Sequence, residues 1–159
     1  MQALSGNLTG LRELYHKSKA FNATDKIINA QDGTGQSALL LASHNGNMDS
    51  VEFILNHGAD VYLSSRDGNT PLIQASADGH ISVVKKLIER GARMDVSQKD
   101  GRTPIIAAVE NGHLHVAEYF FSVQWNVTLP KGRFVLVNLI LYFTVKMYCR
   151  LRINFPKIS

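Results

Sequence analysis

The stretch "DGNTPLIQASADGHISVVKKLIERGARM", residues 67–94, decides the fold, because residues 100–120, "DGRTPIIAAVENGHLHVAEYF", repeat it in register. The offset is 33 residues, and it extends back toward the N-terminus. Gly35, Gly68 and Gly101 form one column; Gly46, Gly79 and Gly112 form another. Ser37, Thr70 and Thr103 align, followed by Ala38, Pro71 and Pro104 and then by Leu39, Leu72 and Ile105. Ala42, Ala75 and Ala108 share a column, as do Ile54, Leu87 and Phe120. Self-similarity at such a period marks an array in which each unit buries its apolar face on its neighbours.

Each column has a physical task. Ser37, Thr70 and Thr103 are N-cap residues, whose hydroxyls accept a bond from an otherwise orphaned helix N–H. Pro71 and Pro104 follow at the first helical position, where a missing N–H costs nothing. The small Ala42, Ala75 and Ala108 let neighbouring units approach. Gly46, Gly79 and Gly112 suit the left-handed residue that ends this first helix. A second helix follows, with apolar stripes Val51, Ile54, Leu55 and Val84, Leu87, Ile88 at i, i+3, i+4 spacing. Gly58 and Gly91 end it in the same way, but the third copy reads Gln124-Trp125 where the others have Gly-Ala.

These residues closely resemble the ankyrin repeat, over roughly residues 28–123. The resemblance implies an all-α solenoid of stacked helix-turn-helix units with short hairpin-like loops. The expected units are a degenerate capping half-repeat over residues 1–31, repeats over 32–64 and 65–97, an incomplete third repeat over 98–123, and a divergent tail over 124–159. In the half-repeat, Ala3, Gly6, Asn7, Leu8, Leu11 and Leu14 keep the second-helix pattern, with extra residues inserted within 17–25. The chain departs from the family in one column. Leu40, Ile73 and Ile106 stand where a histidine usually follows the Thr-Pro-Leu triplet, so burial is expected to replace a polar bond there.

The chain has 159 residues, enough for one short array, and a net charge of +4. That charge is uneven. Residues 1–118 hold eleven Lys/Arg against thirteen Asp/Glu, whereas residues 119–159 hold six Lys/Arg and no acid. The repeats therefore lack the basic face that a nucleic-acid partner requires. The single cysteine, Cys149, excludes an internal disulfide and fits a reducing compartment. Residues 1–10 carry no signal-peptide pattern, so the expected location is the cytoplasm, and the three Asn-X-Thr sequons are read as accidental.

The tail contains "FVLVNLILYFTV", residues 134–145, flanked by Lys131 and Arg133 before it and by Lys146, Arg150 and Arg152 after it. As a helix it would span about 18 Å, against about 30 Å of bilayer hydrocarbon. A divergent terminus, such as that of a splice variant, is the favoured reading. A fold-back cap over the third repeat and a membrane tether through residues 131–159 are the alternatives.

No nucleophile motif, phosphate loop or paired-carboxylate spacing is present, so no enzyme, cofactor or metal site is expected. His16, His44, His57, His80, His113 and His115 are read as structural, with His44 alone on a surface-contact position. The resemblance implies a monomeric interaction module that binds a partner protein on its concave face of loops and first helices. Carried over by position, the partner-binding residues are Gly33, Thr34, Gln36, His44 and Asn45 in the first repeat. The second supplies Arg66, Asp67, Asn69, Ala77 and Asp78, and the third Lys99, Asp100, Arg102, Glu110 and Asn111. Arg66, Lys99 and Arg102 are expected to form a basic strip along the loop tips. The alternative is a regulatory fragment of a larger multidomain protein.

Overall fold

A computed structural model describes residues 8–19 and 27–125. Seven helices lie wholly within the described residues: α1 (Leu8–Lys19), α2 (Ala38–His44), α3 (Met48–Asn56), α4 (Pro71–Ala77), α5 (Ile81–Glu89), α6 (Pro104–Glu110) and α7 (Leu114–Trp125). No strand is formed among the described residues; a lone bridge pairs Gln31 with Ser37. The first helices α2, α4 and α6 stack in one layer, and α1, α3, α5 and α7 stack in a second.

The caps form where the sequence places them. Ser37, Thr70 and Thr103 accept from the amides of Leu40, Ile73 and Ile106 at 3.2, 3.2 and 3.4 Å. The first helices end at Gly46, Gly79 and Gly112, with φ of +65°, +78° and +78°. The next amide then reaches back to an orphan carbonyl, as in His80 N–H to Ala75 O at 2.9 Å and His113 N–H to Ala108 O at 2.8 Å. Helices of seven residues are not stable alone. Their stability comes from burial, at about 1.5–3 kcal/mol for each fully buried aliphatic side chain. Leu39, Leu72, Val51, Ile54, Val84, Leu87, Val116 and Phe120 supply it, with fully buried Ala42, Ala75 and Ala108 between the layers.

The replaced histidine column behaves as expected in two repeats of three. Leu40 and Ile73 are 3% and 0% exposed, but Ile106 is 42% exposed. At the N-terminal end, α1 rests on α3: Tyr15 meets Phe53 at 5.7 Å and His57 at 4.1 Å between ring centroids. The expected insertion lies mostly in residues 20–26, outside the described residues, as does the tail beyond Trp125.

A second ladder joins the loops after the second helices. Asn29 Nδ2 donates to Gly58 O at 3.1 Å, and Tyr62 Oη, one period later, donates to Gly91 O at 2.9 Å. The next members are Asp95 and position 124. A carboxylate has no proton to donate, and Asp95 accepts instead from Arg93 at 3.0 and 2.8 Å. Gln124 does not take up a left-handed break; α7 runs through it to Trp125 and reaches twelve residues, where α3 and α5 have nine. Continuing the helix avoids the left-handed strain that a non-glycine residue would bear.

Two glycines in the same column separate strain from crowding. A Cβ at Gly79 would overlap the His113 ring, whereas one at Gly112 meets no described atom within 4 Å. Both have positive φ. Gly112→Ala is expected to cost about 1–2 kcal/mol from φ strain, and Gly79→Ala about 1–3 kcal/mol more from overpacking. Urea unfolding of the two variants, compared at equal m, measures the difference.

Candidate partner-binding face

Between the layers, each repeat sends out a hairpin-like loop. Asp32 N–H donates to Gln36 O at 3.0 Å, Ser65 N–H to Asn69 O at 2.9 Å, and Gln98 N–H to Arg102 O at 3.0 Å. One backbone bond then ties each loop to the next: Arg66 N–H to Thr34 O at 3.1 Å, and Lys99 N–H to Asp67 O at 3.0 Å. The three loops become one rigid row. Beneath them lies a polar groove of about 440 Å³, lined by Thr34, Gln36, Leu40, Ser65, Asp67, Asn69, Gln98, Lys99 and Asp100.

Six of the sequence-predicted residues meet in this groove: Thr34, Gln36, Asp67, Asn69, Lys99 and Asp100. Gly33 and Arg66 sit exposed at the loop tips. Arg102 closes the third loop, and the other six positions, His44, Asn45, Ala77, Asp78, Glu110 and Asn111, cluster at the C-terminal ends of the first helices. Asn45 and Asn111 are C-caps whose Nδ2 groups fold back on the carbonyls of Leu41 and Ala107 at 3.1 and 2.9 Å. Ala77 is half-buried on the last turn of α4.

Asp78 and Glu110 place negative charge at helix C-termini, where the macrodipole opposes it. Each has a counterweight. His44 Nδ1 donates to Asp78 Oδ2 at 2.8 Å, and Arg102 Nε pairs with Glu110 Oε2 at 2.9 Å. Arg102 is therefore turned toward Glu110, so the expected basic strip is reduced to Arg66 and Lys99. Asp67 and Lys99 remain in the groove without an ion pair to a described residue.

Gln74 is the residue that sequence reasoning missed. Its Nε2 donates to Asp78 Oδ2 at 2.7 Å and lies 3.0 Å from His44 Nδ1. Its Oε1 accepts from Asn69 Nδ2. The carboxylate sets the polarity of this chain, because it can only accept. Gln74 must present its NH₂ to Asp78, so its carbonyl takes the Asn69 NH₂. Asn69 Oδ1 is then a buried acceptor with no donor among the described residues. A signal existed: Gln74 is polar in a column whose other members are Leu41 and Ala107.

Three of the remaining histidines bond to the backbone. His57 Nδ1 donates to Phe53 O at 2.6 Å, His80 Nε2 to His44 O at 2.9 Å, and His115 Nε2 to Gly79 O at 3.0 Å. Among the described residues, no group of three metal-ligating side chains is brought together, and no helix is long and apolar enough to cross a membrane.

A family model described as ankyrin repeats in three copies matches residues 1–99 and 77–137. The chain belongs to the ankyrin-repeat family. A search of curated proteins gave no match. Ankyrin repeats are in general protein–protein interaction modules without catalytic activity of their own, and the helical, two-layer stack described above is the fold that the family model implies.

The first loop of this ankyrin array has an electrostatic lock. Asp32 accepts from the Thr34 hydroxyl at 2.7 Å and from the amides of Gln36 and Thr34 at 3.0 and 2.8 Å. The Thr34 hydroxyl first, and then the two amides, hold the Asp32 carboxyl below its usual range. A depressed carboxylate stabilises the loop above the ordinary carboxylate pKa, and that contribution is lost as pH falls through the lowered folded value. The Thr34 and Gln36 amide resonances are therefore expected to hold steady down to the ordinary carboxylate range and to move together below it. Asp32→Asn is expected to abolish that step, which an NMR pH titration reads directly.

Proposed function

We propose that this ankyrin array is a non-catalytic adaptor that binds a segment of a partner protein along the concave face of loops and first helices. One observation carries the reading: the groove is continuous across all three repeats, with lining residues from each. A segment lying there meets a fixed row of polar groups at regular spacing, since the loop-to-loop backbone bonds set that spacing. Asp67 and Lys99, which line the groove without an ion pair to a described residue, are the groups free to engage it. Among the described residues no Trp or Tyr lines this groove, so the affinity expected is moderate rather than tight. The binding set of greatest weight is Thr34, Gln36, Asp67, Asn69, Lys99 and Asp100, while Asn45, Asn111 and Ala77 serve mainly the fold.

Photo-crosslinking tests this face. A photoreactive residue at Lys99 is expected to couple to a partner protein in a cell extract, and the same residue at Glu118, exposed on α7, is not. Asp67→Lys with Lys99→Glu is then expected to weaken binding of the recovered partner by about tenfold, or about 1.4 kcal/mol. Equal coupling from both positions would place the interface elsewhere.

A further inference from the structure

His44, Asn69, Gln74 and Asp78 form a relay that joins the first repeat to the second, and carboxylate chemistry fixes the direction of every bond in it. Asp78 can only accept. His44 Nδ1 and Gln74 Nε2 both donate to its Oδ2, at 2.8 and 2.7 Å. Gln74 Oε1 accepts from Asn69 Nδ2, and Asn69 lines the groove. In a neutral imidazole one ring nitrogen carries the proton and the other accepts. Asp78 therefore holds the His44 proton on Nδ1 and leaves Nε2 as an acceptor.

Of the two ends of the relay, Asn69 Oδ1 is buried, whereas the His44 side chain is 51% exposed. His44 Nε2 makes no hydrogen bond to a described residue. Stacking does not require this arrangement. At the junction of the second and third repeats, Ala77, Ala107 and Asn111 hold the columns of His44, Gln74 and Asp78, and α4 packs on α6 without a relay. The exposed acceptor is thus a feature of one junction and not of the repeat.

Charge selects the donor that this acceptor takes. Both donors to Asp78 are neutral when the ring is neutral, so its bonds are satisfied while its charge is not cancelled. Glu110, in the column of His44, has instead an ion pair with Arg102. A carboxylate behind a neutral imidazole raises the basicity of the outer nitrogen. A donor that is itself a cation meets both the lone pair and the negative charge, and such bonds are the stronger ones. Resting on the binding reading above, we propose that His44 Nε2 is a specificity-determining acceptor for a lysine or arginine side chain of the partner segment. Asp78 and Gln74 are its positioning residues.

The full chain is tested at about pH 8, where an ordinary imidazole is neutral. Long-range proton–nitrogen correlation spectra are expected to show Nε2 of His44 as the unprotonated ring nitrogen. Asp78→Asn, which offers both a donor and an acceptor, is expected to lose that preference. A positional-scanning library of short peptides is the binding probe. Lys and Arg are expected to be selected at one position, about tenfold over Met. His44→Phe and Asp78→Asn are each expected to remove that selection while the amide signals of residues 104–110 stay in place, which shows that the array is still folded. A proton on Nε2, or selection unchanged in His44→Phe, would overturn the proposal. Peptide binding that responds to Lys99→Glu but selects no cation would overturn it too, and would leave the groove reading standing. Peptides that do not bind, or that ignore both Asp67→Lys and Lys99→Glu, would remove the groove reading and this inference with it.

Discussion

The array depends on the seating of one repeat's histidine ring on the left-handed glycine of the repeat before it. His80 lies on Gly46 and His113 on Gly79, at distances that no Cβ would permit. The same glycine ends the first helix locally, because only a residue without a side chain adopts that φ without strain. One position thus meets two demands at once, the chain reversal within a repeat and the close approach between repeats. His80 adds a bond from Nε2 to the His44 carbonyl, which fixes the ring in place. Short helices that cannot stand alone are in this way made mutually dependent, and stability spreads along the stack by nearest-neighbour contact.

The candidate face follows from that spacing. Once the first helices are stacked, the loops above them are held in register, and the bonds from Arg66 to Thr34 and from Lys99 to Asp67 connect them. Charges near the helix ends are mostly satisfied within the protein: Asp78 by His44 and Gln74, and Glu110 by Arg102. The proposed function therefore rests on a narrower set of side chains than the loop positions suggest. The shape of the groove belongs to the fold, and under the proposed function any choice of partner would belong to these few side chains.

Columns with a stringent local requirement were legible in the sequence. Glycines at positive φ, capping hydroxyls and N-terminal prolines each answer to one local geometry, so their positions carry the architecture. The loop-tip residues were also legible, because the family places them by position. The orientation of side chains was not. Arg102 reads as a free cation until α6 brings Glu110 beside it, and Asn45 and Asn111 read as contact residues until their amides fold back on the helix carbonyls. Gln74 was hidden for a different reason. Its role depends on His44 and Asp78, thirty residues before it and four after, and only stacking unites the three.

The end of the periodicity is coherent rather than ragged. Three kinds of contact join successive repeats, and the third repeat alters each in a related direction. The donor ladder from Asn29 and Tyr62 meets Asp95, which cannot donate. The Gly-Ala break becomes Gln124-Trp125, and α7 continues as a helix through it. The serine of the stacking face becomes Val109, beside an exposed Ile106. A further repeat of the same kind would need the donor, the left-handed turn and the polar stacking column. With all three changed, the third repeat does not repeat on its outer side the contacts that join the first repeat to the second.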